Sequence, residues 1–275
     1  MSQLKEHAKA IAKDHNEEAI YRFRVITKKL RAYLRMLSLA YDDPKELKLP
    51  GRIKRMFRSL GPKRDEQLHQ KRLKEDLKGS RVSVSGLLPE EKEESHDHLL
   101  TAKDFDELEK KLLDKIPVQF DDDLVQEFLK KNQAGIENIV DTGQLDDAHL
   151  HQVRKHLKDM IHVSKLWEDE QLESAYMLKD KNGLEKADNL ADALGAYIDN
   201  CASLSILTPT VIRRGTEKQQ EALRRVRGKW LAQRRRMKKK IVPMIEEWMM
   251  TRDEVRGTGH EVRGSRHALR SRTSH

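Results

Sequence analysis

Residues 21–37 read YRFRVITKKLRAYLRML. Projected at about 100° per residue with Phe23 at zero, Ile26, Leu30, Tyr33, Leu34 and Leu37 fall in an arc of about 100° centred near 330°. An apolar arc of that width is a helix face packed on a core. Arg24, Lys28, Arg31 and Arg35 fall between about 80° and 140°, so the basic stripe flanks the apolar face instead of opposing it. The pattern returns in residues 150–167. With Arg154 at zero, Leu150, Val153, Leu157, Met160, Ile161 and Trp167 cover about 220° to 340°. His151, Arg154, Lys155, Lys158, His162 and Lys165 cover about 0° to 100°. In both helices the basic centre leads the apolar centre by roughly 130–140°.

Helical periodicity extends outward from these stretches, with no convincing strand alternation. The spacing predicts helices over roughly 3–42, 45–60, 62–78, 89–114, 122–140, 145–179, 184–207 and 215–249. Pro44, Gly61-Pro62, Gly79, Pro89, Pro117, Gly143, Gly183 and Pro209 lie between or at the starts of these spans, where helix breakers and N1 prolines belong. Val82 to Gly86 (VSVSG) is the single β-like fragment and reads as loop. A second internal match joins the two halves. Leu60-Gly61-Pro62-Lys63-Arg64-Asp65 and Leu194-Gly195-Ala196-Tyr197-Ile198-Asp199 share the form L-G-x-x-x-D. Each lies some forty residues after the stripe that precedes it. The predicted fold is all-α, two tandem four-helix bundles forming an internal repeat. The first copy is 1–125 and the second 126–250, followed by a flexible basic tail at 251–275.

The 275 residues carry 55 Lys and Arg against 46 Asp and Glu, a formal charge of +9. The charge is unevenly placed. Residues 1–85 hold 22 basic and 11 acidic groups, and residues 86–123 hold 13 acidic and 5 basic. Residues 221–240 hold ten basic groups and one acid. Alternating blocks of this kind describe a folded surface with polarised faces, to which a polyanion is the complementary partner. No run reaches the roughly 18 apolar residues of a membrane span. The N-terminus lacks the apolar core of a signal peptide, and a lone cysteine, Cys201, excludes an intramolecular disulfide. These features predict a cytoplasmic protein with Cys201 in the core, among Ala202, Leu204 and Ile206.

Four cations at i, i+4, i+7 and i+11 repel one another, by a few tenths of a kcal/mol (about 0.2–0.5) per pair, and no glutamate lies within either stripe to relieve them. Phosphate suits such a row: arginine offers a planar fork, lysine a point charge, and protonated histidine a donor. Carboxylates from other helices, Asp65 and Asp199, are the internal alternative. The last helix adds a third basic surface. Leu223, Val226, Trp230, Met237, Ile241, Met244 and Trp248 form its seam, with cations including Arg227 and Arg234 around the rest.

Tyr21-Arg22-Phe23-Arg24-Val25-Ile26-Thr27-Lys28-Lys29-Leu30-Arg31 resembles the first signature of the CHAD domain (conserved histidine α-helical domain), H-x-x-R-V-x-x-R/K-R/K-L-R. Leu60, Gly61, Arg64 and Asp65 are similar to its L-G-x-x-R-D segment. His151, Arg154 and Lys158 are similar to the second-half H-x-x-R-x-x-x-K, followed by the copy ending at Asp199. The resemblance covers about residues 10–250. Tyr21 replaces the first signature histidine, and His162 stands where a tyrosine is usual. The resemblance implies two four-helix bundles related by a pseudo-twofold, with a basic groove between or along them that binds inorganic polyphosphate. The phosphate-binding residues it points to are Arg24, Lys28, Lys29, Arg31, Arg35, Arg58, Arg64, His151, Arg154, Lys155, Lys158, His162, Arg227 and Arg234, with Asp65 and Asp199 as supporting carboxylates.

Other chemistry finds less in the sequence. His149 and His151 diverge by about 200° on a helix, which does not suit a shared metal. Glu93-x-x-His96 is a single E-x-x-H where a di-iron bundle needs two, and His96-Asp97-His98 lacks the supporting ligands of a phosphohydrolase. There is no P-loop and no Rossmann fingerprint, so no cofactor is expected. The first reading is a non-catalytic polyphosphate-binding module. The second is nucleic-acid binding through 221–240 and the basic tail, for which 13 aromatic residues leave few stacking platforms. The third is a metal-dependent phosphohydrolase.

Overall fold

A computed structural model describes residues 1–14, 16–43, 47–80, 82–83, 87, 99–116, 122–166 and 181–256. Among these residues the protein is all-α, without a strand. The helices are α1 (Ser2–Asp14), α2 (Glu17–Leu37), α3 (Gly51–Asp76), α4 (Ala102–Leu113), α5 (Asp122–Asp141), α6 (Asp147–Ser164), α7 (Lys181–Ile206), α8 (Pro209–Arg213) and α9 (Glu217–Arg256). A 3₁₀ turn, Ser38–Ala40, follows α2.

Four predicted spans are corrected. The single helix over 3–42 is two, because Asn16 caps α2: its side-chain Oδ1 accepts from the Ala19 amide at 2.9 Å. Glu17 and Glu18 then fill the first turn, where the helix dipole favours anions. The predicted pair 45–60 and 62–78 is one continuous helix, α3, which starts only at Gly51, after the non-helical residues 47–50, and has Pro62 inside it. Proline removes one amide donor and crowds the Cβ of the residue before it, but that residue is Gly61, which has none. Burial of Ile53, Met56 and Leu60 before the proline and of Leu73 and Leu77 after it anchors both arms. The predicted 215–249 helix is preceded by the short α8, with Thr208 as N-cap and Pro209 in its first turn. α9 itself continues past Pro243 to Arg256, into the predicted tail.

Of the other spans, 89–114 is helical only over Ala102–Leu113, with the described residues 99–101 outside the helix, and 145–179 is helical over Asp147–Ser164 among its described residues. α5 and α7 match their predictions closely. α4 begins at a Thr101–Asp104 capping box, and α6 at an Asp146 cap bonded to the His149 amide at 2.9 Å. Gly79 and Gly143 follow α3 and α5 with φ of 88° and 68°, the left-handed geometry of a helix end. The predicted helical stretches 89–98 and 167–179, residues 84–86 of the VSVSG fragment and tail residues 257–275 lie outside the described residues. Cys201 is half-buried on α7, not enclosed in the core as expected.

The residues gather in two compact units, Met1–Phe128 with Asp199–Arg235, and Leu129–Ile198 with Arg236–His275. The boundaries fall inside α5, α7 and α9, and the expected repeat boundary at 125/126 also falls inside α5. Unit 1 holds one cluster built from Leu4, Ile11, Ile20, Phe23, Ile53, Met56 and Phe105. A second joins Leu73 and Leu77 to Leu207, Ile212, Leu223, Val226 and Trp230. Phe23 is fully buried, and its truncation to alanine costs about 3–5 kcal/mol at such a site. Unit 2 buries Leu150, Val153, Leu157, Met160 and Ile161 of α6, Leu190 and Leu194 of α7, and Ile241, Ile245 and Trp248 of α9. From Leu150 to Ile161 the α6 apolar arc read from the sequence is thus the buried one, and Trp167 of that arc lies outside the described residues.

Candidate functional site

In unit 1 the α2 stripe is more enclosed than its projection implies. Phe23, Leu34 and Leu37 of the apolar arc are buried, and so are Ala32 and Met36, at about 180° and 220° on the far side of the stripe. Arg31 and Arg35 run between these two buried faces and are half-buried, while Lys28 and Lys29 are exposed. The second face does not show in the apolar periodicity because alanine and methionine there do not form a continuous seam.

Arg24 shows what Gly61 is for. Its Nη1 donates to the Phe57 carbonyl at 2.9 Å, and its guanidinium carbon lies 4.5 Å from the centre of the Phe57 ring. A Cβ on Gly61 would lie 3.0 Å from that Nη1. Helical side chains lean toward the N-terminus, over the preceding turn, so a side chain at 61 would cover the carbonyl four residues back. Without one, the carbonyl's second lone pair is open to an arginine from another helix. Burial pushes the Arg24 pKa down from its ordinary value; Asp65 acts against this, and neighbouring Arg64 acts with it. Arg31 also lies over the Phe57 ring, at 5.8 Å, and Arg64 over the ring of Tyr21, at 5.5 Å. Tyr21, where the family signature has histidine, therefore serves as an exposed aromatic face for arginine. Arg58 is exposed on α3.

Asp65 is exposed and acts on Arg24 and on His69. Asp199, also in unit 1, acts on His69 and Arg72. Ser203 Oγ donates to the Asp199 carbonyl at 2.8 Å, which leaves Oγ to accept from His69 Nδ1 at 3.2 Å. Burial holds His69 below the usual imidazole pKa, against the pull of both carboxylates.

Unit 2 repeats the arginine dock. Arg154 Nε donates to the Ala191 carbonyl at 3.2 Å, and a Cβ on Gly195 would lie 3.1 Å from Nε and from Nη2. Ala191 stands four residues before Gly195, as Phe57 stands four before Gly61. His151 and Lys155 are exposed on α6, and His162 is half-buried. Lys158 has internal counterions: its Nζ lies 3.3 Å from Asp188 Oδ1 and 3.1 Å from Asp192 Oδ1. Lys165 also pairs with Asp188, whose pKa is lowered because these lysines outweigh the opposing effect of burial. Asp188 and Asp192 are thus neutralising acids of the α6 stripe, in addition to the expected Asp65 and Asp199, of which Asp65 acts on Arg24 of the α2 stripe. The i, i+4 spacing of Asp188 and Asp192 on one face of α7 was the available signal.

Arg227 and Arg234 lie half-buried on α9 in unit 1. Arg227 lines a cavity of about 380 Å³ with Arg213 and Arg224, two residues that no sequence motif singled out. Among the described residues, no three His, Cys, Asp or Glu side chains converge as metal ligands. No helix among them is long and apolar enough to cross a membrane. His96-Asp97-His98 lies outside the described residues.

Comparison with known proteins bears on the same residues. No curated protein and no solved structure matches the chain. The family model of the CHAD domain matches residues 1–208, which span α1 to α7 and contain both arginine docks and both basic stripes. The chain belongs to the CHAD domain family.

Proposed function

We propose that the protein binds inorganic polyphosphate in the cytoplasm and does not transform it. The observation that carries the reading is the convergence of Arg24 and Arg31 on the Phe57 ring, with Arg64 close enough to Arg24 to act on its charge. Three guanidinium groups share this neighbourhood, and one carboxylate, Asp65, acts on Arg24. Held guanidinium groups in a half-buried setting suit an anion that offers many oxygens in a row. Lys28 and Lys29 extend the face outward as exposed point charges. Within the proposal each repeat, 1–125 and 126–250, brings one stripe, and the second presents His151, Arg154 and Lys155. Lys158 contributes less, because a phosphate must compete with Asp188 and Asp192 for it. Exposed cations of α9, such as Arg235, Arg236, Lys239 and Lys240, favour nucleic acid as the second reading.

A salt series with labelled long-chain polyphosphate tests the proposal, with single-stranded DNA as competitor. Several phosphate contacts release counterions, so affinity should fall steeply and log-linearly with salt. Polyphosphate should outcompete DNA at equal phosphate concentration, and metal-supplemented protein should release no phosphate. Equal binding of both polymers would reduce the site to a general basic surface, and phosphate release would overturn the non-catalytic reading.

A further inference from the structure

We infer that unit 1 carries a separate small-molecule site, the cavity between α8 and α9, which takes an amphipathic monophosphate: a phosphate head on a compact apolar body. The cavity, of about 380 Å³, falls in the size range of small-molecule sites. Its lining has two chemistries. Arg213 from the last turn of α8 and Arg224 and Arg227 from α9 supply cations, and Pro209, Ile212 and Leu231 supply an apolar wall.

The cations have no carboxylate among the described residues. Arg224 Nη2 donates to the neutral Gln220 Oε1 at 2.8 Å, whereas Arg225, which does pair with Glu221, is not in the lining. Arg227 Nε is buried with no hydrogen-bond partner among the described residues. That Nε has no surface open to a ligand, so Arg227 can meet a phosphate only through its terminal nitrogens, beside the exposed Arg213 and Arg224. A bare polyanion is a poor match for this place. It would lose water against Pro209, Ile212 and Leu231 without replacing those hydrogen bonds. An apolar body beside the phosphate gains from the same wall.

Gly228 keeps the space open. It lies within α9, where glycine weakens a helix, and a Cβ built there meets nothing within 4 Å. All the lining residues also fall after residue 208, beyond the stretch matched by the family model.

Phenyl phosphate is the probe, titrated calorimetrically into the full chain beside inorganic phosphate and phenol. Phenyl phosphate should bind saturably and at least about tenfold more tightly than either fragment, since each fragment engages one half of the lining. Arg213→Gln with Arg227→Gln should weaken it by about tenfold or more, as two charge-assisted contacts are lost. Gly228→Leu keeps every charge, improves helix propensity and fills the cavity, so it should abolish phenyl phosphate binding in a folded protein. Long-chain polyphosphate binding by Gly228→Leu should equal wild type, which separates this site from the α2 face. Equal affinity for phenyl phosphate and inorganic phosphate would overturn the inference, and so would undiminished binding by a folded Gly228→Leu variant.

Discussion

Replacing glycines by alanine, one at a time, sets a helix gain against the loss of an arginine dock. In a helix interior alanine is favoured over glycine by about 1 kcal/mol. At Gly228 nothing lies within 4 Å of the added Cβ, so Gly228→Ala should gain most of that amount and raise Tm by about 2–4 °C. At Gly61 the Cβ would sit 3.0 Å from Arg24 Nη1, at the position from which it bonds the Phe57 carbonyl. The guanidinium must move. It then loses a hydrogen bond from a charged donor, about 1.5–3 kcal/mol, and part of a cation–π contact of about 0.5–1 kcal/mol. Pro62 also crowds a Cβ at position 61, so no helix gain offsets these losses, and the net effect is a loss of about 2–3 kcal/mol.

Gly195→Ala meets Arg154 at 3.1 Å, but the bond at risk is the longer 3.2 Å contact to Ala191, so its loss should be smaller. Gly135→Ala is the severest: the Cβ would lie 2.7, 2.9 and 3.2 Å from three atoms of the His156 ring, whose Nδ1 is 3.0 Å from Asn132 Oδ1. A rigid ring cannot yield as an arginine tip does, and overpacking of this kind costs about 1–3 kcal/mol beyond the lost bond. Thermal and urea unfolding of the four variants should therefore rank them Gly228→Ala, Gly195→Ala, Gly61→Ala, Gly135→Ala, from most to least stable. A Gly61→Ala protein as stable as Gly228→Ala would refute the docking argument.

Three further outcomes are expected. Lys28→Gln with Arg31→Gln should weaken polyphosphate binding by about tenfold or more and flatten its salt slope, whereas Lys158→Gln should change it by less than about threefold, read from the same salt series. Asp188→Asn with Asp192→Asn should tighten polyphosphate by about two- to fivefold at low salt, because Lys158 and Lys165 lose their internal counterions. Stability should fall with acid in two stages. His69 is held below its ordinary 6.5 by burial, so below that pH the unfolded chain binds the proton first and native stability declines. Burial alone would raise Asp76, but hydrogen bonds from Lys229 and from Trp230 Nε1 at 2.6 Å, with the charges of Lys229 and Arg72, bring it below 3.8. Its contribution is complete above 3.8 and is lost as pH falls through the native value. Urea midpoints between about pH 8 and 3 should show both declines, with Asp76→Asn removing the lower and His69→Gln the upper.

The all-α class was legible because an apolar arc repeated every 3.6 residues is a local signal. The stripes were legible for the same reason, since Arg24 to Arg35 and His151 to Lys158 each occupy one helix face. The errors came where a local signal met a tertiary one. Asn16-Glu17-Glu18 is a readable cap, but apolar spacing continues across it and hides the break between α1 and α2. Gly61-Pro62 is a readable breaker, yet buried residues on both sides keep α3 whole. Asp188 and Asp192 could not be paired with Lys158 without knowing that α7 lies beside α6.

The L-G-x-x-x-D segment marks the limit most clearly. The first copy read as a string looks like a turn, because Gly61-Pro62 punctuates it, whereas the second falls inside the predicted 184–207 helix. Folded, the segment's glycine is a helical position whose missing side chain uncovers the carbonyl four residues before it. That carbonyl fixes an arginine arriving from another helix, and the arrangement occurs once in each unit, on Arg24 and on Arg154. The consequence for binding is entropic. A free arginine side chain carries about 2 kcal/mol of rotamer entropy, which a ligand must overcome when it immobilises the group. Arg24 and Arg154 have already lost much of theirs on folding, and each spends only part of its donor set on the carbonyl. The remaining donors are held in place before any phosphate arrives, while Lys28, Lys29 and Lys155 stay exposed on longer-range duty. A lysine in place of Arg24 would keep the charge and lose the fixed fork, so the dock has a use for arginine that charge counting along the sequence does not register.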